Sequence, residues 1–296
     1  MKELDIQNHG NILPCTRKDL ISWIRTRLKR YNIKLRKRLS QIILIDPKIL
    51  TFIAEKIGKI IEDRSNVAIL EIGAGVGNLT MFLGCKNSNA LVIAIEIDNR
   101  FASILKEIKN LCSNIEIIIG DALNLIKSFR GIDLVVGNIP YHITSDILLT
   151  LAKSNTKYAL LTIQRDVADR LVSKPGTKNY GKLSILMQIL FEINIMRIIP
   201  STLFRPKPQV SSAIILLRRK KEYNEYMKNV EELTKCLFSY KRKLVLKAFT
   251  YCIDKNKRLE KKIKMEDNIW RKRVLQLAVE DIMNLTNIYV ELKKKN

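Results

Sequence analysis

A doubly wound α/β fold is what the sequence predicts, on three observations. Residues 67–72, 91–97, 115–119, 134–136 and 158–163 are short, near-continuous apolar runs rich in β-branched side chains, as expected of strands covered on both faces. Helical stretches such as 100–111 and 145–152 alternate with them, the arrangement of a parallel sheet with crossover helices. The first run leads into Gly73-Ala74-Gly75-Val76-Gly77, a glycine-rich turn that lets backbone approach a ligand at a helix start. Two later β-rich runs, 193–199 and 212–217, lie close in sequence and are expected to form an antiparallel edge.

The 296 residues suffice for about two domains of roughly 150 residues. With 47% apolar residues, 11 Gly and 7 Pro, the composition is that of a chain able to bury a core. The longest uncharged stretch, 72–85, has fourteen residues interrupted by glycines, short of the ~20 apolar residues that span a bilayer. No apolar signal region opens the chain, so a cytoplasmic protein without membrane contact is expected. Five cysteines, odd in number and without a C-x-x-C pair, argue against disulfides and zinc, and all five are expected to be free. Only His9 and His142 are present, and no metal site is expected.

The net charge of +24 is concentrated in the flanks: residues 1–40 hold 11 basic and 3 acidic side chains, and 220–296 hold 20 and 11. Such an excess suits a phosphate backbone, because neutralising successive phosphates releases counterions. Nucleic acid is therefore the leading partner. Residues 17–38 read as a basic amphipathic helix, with Leu20, Ile24, Leu28, Tyr31 and Leu35 at three- and four-residue spacing. A membrane-surface helix or a transit peptide would share that pattern, but Glu3, Asp5 and the scarcity of serine disfavour both.

Each strand delivers a candidate group at its end. The glycine spacing departs from a dinucleotide fingerprint, since Asn78 stands where the third glycine of G-x-G-x-x-G belongs. Alternate glycines after Glu71 are instead the pattern of class I S-adenosylmethionine (SAM) methyltransferases. Glu96, ending the second strand, can accept from both ribose hydroxyls of an adenosine cofactor, while Asp98 reads equally well as a surface acid. Asp121, in Gly120-Asp121-Ala122, can accept from the adenine amine. The fourth strand runs into Gly137-Asn138-Ile139-Pro140-Tyr141, the most specific feature of the chain. The exocyclic nitrogen of adenine has its lone pair delocalised into the ring, so methylating it requires acceptors that hold its N–H bonds. Asn138 and the carbonyl of Ile139 or Pro140 can provide them, and Tyr141 offers a stacking face.

Together these residues resemble the KsgA-type ribosomal RNA adenine dimethyltransferases, over residues 39 to 218. The likeness covers Gln41 to Asp46 (Q-x-x-L-x-D), E-I-G-A-G-V-G, Glu96, Gly120-Asp121-Ala122 and N-I-P-Y, where the family usually has N-L-P-Y. It continues through Gln164-Arg165-Asp166-Val167-Ala168 and Lys174 to Ser184, then Phe204 to Ala213 (F-x-P-x-P-x-V-x-S-A). The resemblance implies that Leu44, Gly73, Glu96, Asp121 and Asn138 contact SAM, and that Asn138, Tyr141 and Phe204 hold the target adenine, Phe204 as a second aromatic wall. Gln41-Ile42-Ile43-Leu44 departs from the family's Q-N-F-L or Q-H-F-L, so Ile42 is expected to give a backbone contact only.

More loosely, Phe238-Ser239-Tyr240-Lys241-Arg242-Lys243-Leu244 resembles the basic helix of the family's small helical domain. On it Leu237, Leu244, Ala248 and Tyr251 would face inward and Lys241, Arg242 and Lys247 outward, with further charge at 255–264 and 271–273. The expected architecture is a basic N-terminal arm (1–40), a Rossmann-like class I SAM-dependent methyltransferase domain (41–219) and a small C-terminal helical RNA-binding domain (220–296). The implied activity is SAM-dependent dimethylation of two adjacent adenosines in a small-subunit ribosomal RNA hairpin, by a monomer acting on the immature small subunit. The 174–180 loop is a further expected RNA contact. Large-subunit RNA, DNA adenine, or an assembly role exerted mainly by binding remain the alternatives.

Overall fold

The computed structural model describes residues 13–36, 39–64, 66–128, 132, 134–253 and 268–294. The basic run 255–264, His9, Lys37 and Arg38 lie outside the described residues. By its contacts the chain divides into two compact units, one formed by 1–151, 155–165 and 195–216, the other by 152–154, 166–194 and 217–296. These cut across the segments drawn from sequence: the N-terminal helix belongs to the first unit, and 166–194 to the second.

Helix α1 (Arg17–Arg30) begins at a capping box, where Thr16 accepts from the Asp19 N–H and Asp19 reaches back to Thr16. It is shorter than the predicted 17–38. Tyr31 caps it and Asn32 adopts a left-handed φ of 49°, which a regular helix cannot continue through. Strand β1 (Ile43–Leu44) is followed by α2 (Pro47–Ile61), started by Asp46 as N-cap and Pro at the first turn. Ile49, Leu50, Ile53, Ala54, Ile57 and Ile61 form its buried stripe.

The alternation then follows as predicted: β2 (Ala68–Ile72), α3 (Asn78–Lys86), β3 (Leu91–Glu96), α4 (Ala102–Lys109), β4 (Ile115–Ile119), α5 (Ala122–Ser128), β5 (Leu134–Asn138), α6 (Thr144–Lys153) and β6 (Tyr158–Gln164). Next come α7 (Arg165–Leu171), α8 (Lys182–Leu190), β7 (Phe191–Ile199), β8 (Phe204–Arg205) and β9 (Ser212–Arg219). The seven-stranded sheet has the order β4-β3-β2-β5-β6-β9-β7, with β7 and β9 neighbours at one edge, and β1 pairs separately with β8. From β2 the chain steps outward through β3 and β4, then returns to build β5 and β6 on the other side, all four contacts being parallel. Open α/β sheets bind ligands at such a reversal, beyond the carboxyl ends of the strands. Register places Ile72 beside Gly137 there, so the loops after β2 and β5 leave the sheet side by side. A Cβ on Gly137 would stand 2.6 Å from the Ile72 carbonyl oxygen, so only glycine permits that approach.

The second unit contains α9 (Glu225–Leu237), α10 (Val245–Ile253) and α11 (Val279–Lys294). Met227, Val230, Leu233 and Leu237 form the buried stripe of α9, and Phe249 packs edge-on against Trp270. Three sequence expectations fail here: the segment 238–244, expected as the basic helix, is a single 3-10 turn over Phe238–Tyr240 followed by a non-helical turn. Leu244 is 50% exposed rather than inward, because α10 starts only at Val245 and Leu244 bridges Arg273 in extended conformation. Cys236 and Cys252 form a disulfide between α9 and α10, so the cysteines are not all free. Cys85 and Cys112 also face each other, their sulfurs 2.7 Å apart. The disulfide closes a loop of 16 residues, a constraint worth about 3 kcal/mol in the chain-entropy account. Dithiothreitol is therefore expected to lower the melting temperature of the helical unit by several degrees, and an unchanged transition would show that the link does not stabilise it.

No helix among the described residues is long and apolar enough to cross a membrane, and none of their side chains group as a metal site.

Candidate functional site

A cavity of about 220 Å³ opens at the carboxyl edge of β2, β3 and β5. One water needs ~10–15 Å³ by the same measure, so the space suits an extended small molecule. Ile42, Leu44, Gly73, Glu96, Asp121 and Asn138 all line it, so the structure brings together every residue expected at the cofactor. Gly73 holds φ +73°, a left-handed conformation that turns the chain away from the strand beside the cavity.

Glu96 is only 6% exposed and already organised: Oε2 accepts from the Gly75 N–H at 2.7 Å and Oε1 from the Asp98 N–H at 2.8 Å. It thereby ties the glycine turn after β2 to the end of β3, and burial raises its pKa. Asp121 accepts from the Leu123 N–H at 2.9 Å. Asp98 is not the surface acid that the sequence left open. It is 4% exposed, and its carboxyl is held well below the usual range by Arg100 beside it, with Gln41 donating to it at 2.9 Å.

Asn138 ends β5 and donates its Nδ2 to the Ile42 carbonyl at 2.8 Å. That bond orients the amide, and no described residue donates to Oδ1. The Pro140 carbonyl accepts from the Ile143 N–H at 3.1 Å and Thr144 Oγ1 at 3.3 Å. Of the two carbonyls weighed from sequence, that of Pro140 thus already has two donors, and Ile139 is 1% exposed and not among the residues lining the cavity. Leu44 is 2% exposed and its carbonyl accepts from Asn78 Nδ2 at 2.7 Å, while His142 Nδ1 meets Ser40 Oγ at 3.0 Å. The segment 40–44 is fastened over the cavity by these contacts.

Two predicted residues stand apart from the cavity wall. Tyr141 is half-buried, with its hydroxyl 2.9 Å from Ser212 Oγ. Phe204 is fully buried in the hydrophobic core, because β8 pairs with β1 and turns its ring inward. In the second unit, Tyr180 of the 174–180 loop is also buried, edge-on to Phe238, and the Gly176 N–H donates to Leu275. The rest of that loop, Lys174 to Asn179, faces solvent.

Sequence reasoning missed Glu71. It is 1% exposed, lines the cavity, and its Oε2 has no hydrogen-bond partner among the described residues. Burial, reinforced by Glu96 and opposed by Thr80, pushes its pKa up to about 8. The signal available was a carboxylate at the end of an otherwise apolar strand. Such a group favours the fold when protonated, so its stabilising share is full below pH ~4.5 and is lost as pH rises through about 8. The melting temperature should accordingly fall between pH 5 and 9 by more in the wild type than in Glu71→Gln. Identical profiles would contradict the shift.

The fold and the carboxyl-edge cavity define a class I methyltransferase. Residues 32–289 match the ribosomal RNA adenine dimethylase family, and the chain belongs to that family. It is 36% identical over 250 residues to the probable ribosomal RNA small subunit methyltransferase A of Pyrobaculum islandicum, covering 84% of this chain and 94% of that protein. It is 37% identical over 230 residues to the ribosomal RNA small subunit methyltransferase A of Listeria welshimeri, covering 73% and 76%. Among solved structures, a dimethyladenosine transferase from Plasmodium falciparum superposes with TM-score 0.68 at 26% identity, covering 82% of this chain and 96% of that one. The 23S rRNA methyltransferase ErmE superposes with TM-score 0.62 at 27% identity, covering 83% and 98%.

Proposed function

We propose that the chain transfers methyl groups from SAM, two in succession, to the exocyclic amine of each of two adjacent adenosines in a small-subunit ribosomal RNA hairpin. The observation that carries this reading is the fixed amide of Asn138, its Nδ2 committed to Ile42 and its Oδ1 left open beside the cavity. The chemistry of the donor set fits SAM: Glu96 and Asp121 suit ribose hydroxyls and an adenine amine.

When bound, SAM supplies an electrophilic sulfonium methyl and a neutral leaving group. The remaining work belongs to this chain. Asn138 Oδ1 and the carbonyl of Ile139 or Pro140 accept the two N–H bonds of the adenine amine, drawing its nitrogen out of conjugation and aiming it at the methyl. Tyr141, anchored through Ser212, supports the extruded base by stacking, worth about 1–3 kcal/mol. Each transfer breaks the S–CH3 bond and forms N–CH3, and the methylated amine, acidic while its nitrogen is cationic, releases one proton to solvent. After the first, one N–H remains for the same acceptors, so a second transfer needs no new group.

The small-subunit reading is favoured by the named relatives, and the likeness to ErmE defines the alternative to test. Purified protein with methyl-labelled SAM should label small ribosomal subunits lacking the modification, and neither large subunits nor duplex DNA. Label in large subunits alone would replace the proposed substrate.

A further inference from the structure

The helical unit carries a paired aromatic surface to which none of the activity above assigns a role. Tyr240, in the short turn after α9, and Tyr251, on α10, lie with ring centroids 5.3 Å apart and planes inclined at 50°. Both are half-buried. The Lys243 ammonium stands 5.6 Å from one centroid and 5.1 Å from the other. Around them Lys241, Arg242, Lys243 and Lys247 are all exposed, and none has a carboxylate partner among the described residues.

Their hydroxyls set these two tyrosines apart. Tyr31, Tyr141, Tyr158, Tyr223, Tyr226 and Tyr289 each hydrogen-bond through the phenol oxygen. Tyr180 is buried without a partner. Tyr240 and Tyr251 are the half-buried tyrosines whose hydroxyls bond to no described residue. Rings placed only to fill the core would be covered, and rings placed for their hydroxyls would be bonded. A merely solvated charged surface would have no reason to gather two rings within it.

We propose that Tyr240 and Tyr251 form a stacking platform for an unpaired RNA base, with Lys241, Arg242 and Lys247 receiving the flanking phosphates. Aromatic faces take any unstacked base, and neighbouring cations follow the backbone, which together define single-strand recognition. Lys243 occupies the ring faces in place of the base; being exposed and flexible, it can move to a phosphate when a base arrives. The disulfide next to Tyr251 joins α10 to α9 and so holds the second ring on the scaffold that leads to the first. Duplex RNA keeps its bases stacked inside and offers the platform nothing but charge.

The site rests on the reading of RNA as substrate, yet binding can be measured without SAM, so the two can fail separately. The probes are a single-stranded RNA ten-mer carrying 2-aminopurine and a duplex of equal length, added to the full chain at fixed salt. Tyr240→Ala with Tyr251→Ala should weaken the single strand about tenfold and leave the duplex within twofold, whereas the corresponding Phe pair binds as wild type. Lys241→Ala with Arg242→Ala should weaken both and flatten the salt dependence. Should the Ala pair misfold, wild-type protein crosslinked to a 4-thiouridine ten-mer should carry its adduct on Tyr240 or Tyr251. Equal loss of single strand and duplex, crosslinks elsewhere, or competition by polyglutamate as effective as by RNA would overturn the platform. Loss of methyl transfer with ring-dependent binding intact would count against the proposed activity and not against this site.

Discussion

Asn138→Ala should reduce methyl transfer by about 10³-fold or more while RNA affinity changes less than twofold. Preorganised partners of a reacting group are worth about 10²–10³ each, and Asn138 does two things at once. Its Nδ2 bond to Ile42 holds the 40–44 segment, and its Oδ1 is the side-chain acceptor available to the amine. Alanine removes both. Asn138→Asp is the sharper comparison, since it keeps oxygens but sets one against the Ile42 carbonyl in place of a donor. It should retain little activity. Substantial turnover in either variant, measured in single-turnover conditions with saturating RNA, would remove Asn138 from the proposed chemistry.

Glu96→Ala should raise the dissociation constant for SAM by about 10²-fold or more. The carboxylate is expected to accept from the ribose, and charge-assisted hydrogen bonds are worth about 1.5–3 kcal/mol each. It also holds the Gly75 and Asp98 N–H groups, which alanine would leave unpartnered at the rim of the cavity. Glu96→Gln keeps one oxygen and should cost less than Glu96→Ala. Calorimetry on both variants decides the matter, and an affinity equal to wild type would place the cofactor elsewhere.

The alternation of apolar runs and helices was legible because strands buried on both faces leave little room for polar residues. The cavity was legible for a related reason: Gly73, Glu96, Asp121 and Asn138 each stand at or within two residues of a strand's end, and parallel strands end at one edge. What escaped was set by contacts distant in sequence. Cys236 and Cys252 are neighbours only because α9 and α10 pack together, and neither their number nor their spacing carries that information. Phe204 is expected from the resemblance as a second aromatic wall for the adenine, yet pairing of β8 with β1 buries its ring in the core. Leu244 fits a helical stripe by spacing, but the helix does not begin until the next residue. The end of α1 depended on a single left-handed residue, Asn32, inside an apolar pattern of helical spacing that runs on to Leu35. Glu71 was overlooked because its peculiarity is complete burial, which one sequence cannot show.

The most direct test incubates wild-type protein and Asn138→Ala with SAM and unmethylated small subunits, then digests the RNA to nucleosides for mass spectrometry. The prediction is two dimethyladenosines per subunit, at adjacent positions, with the wild type and none with the variant. A product stopping at monomethyladenosine, methylation on another base, or dimethyladenosine formed equally by the variant would contradict the central claim.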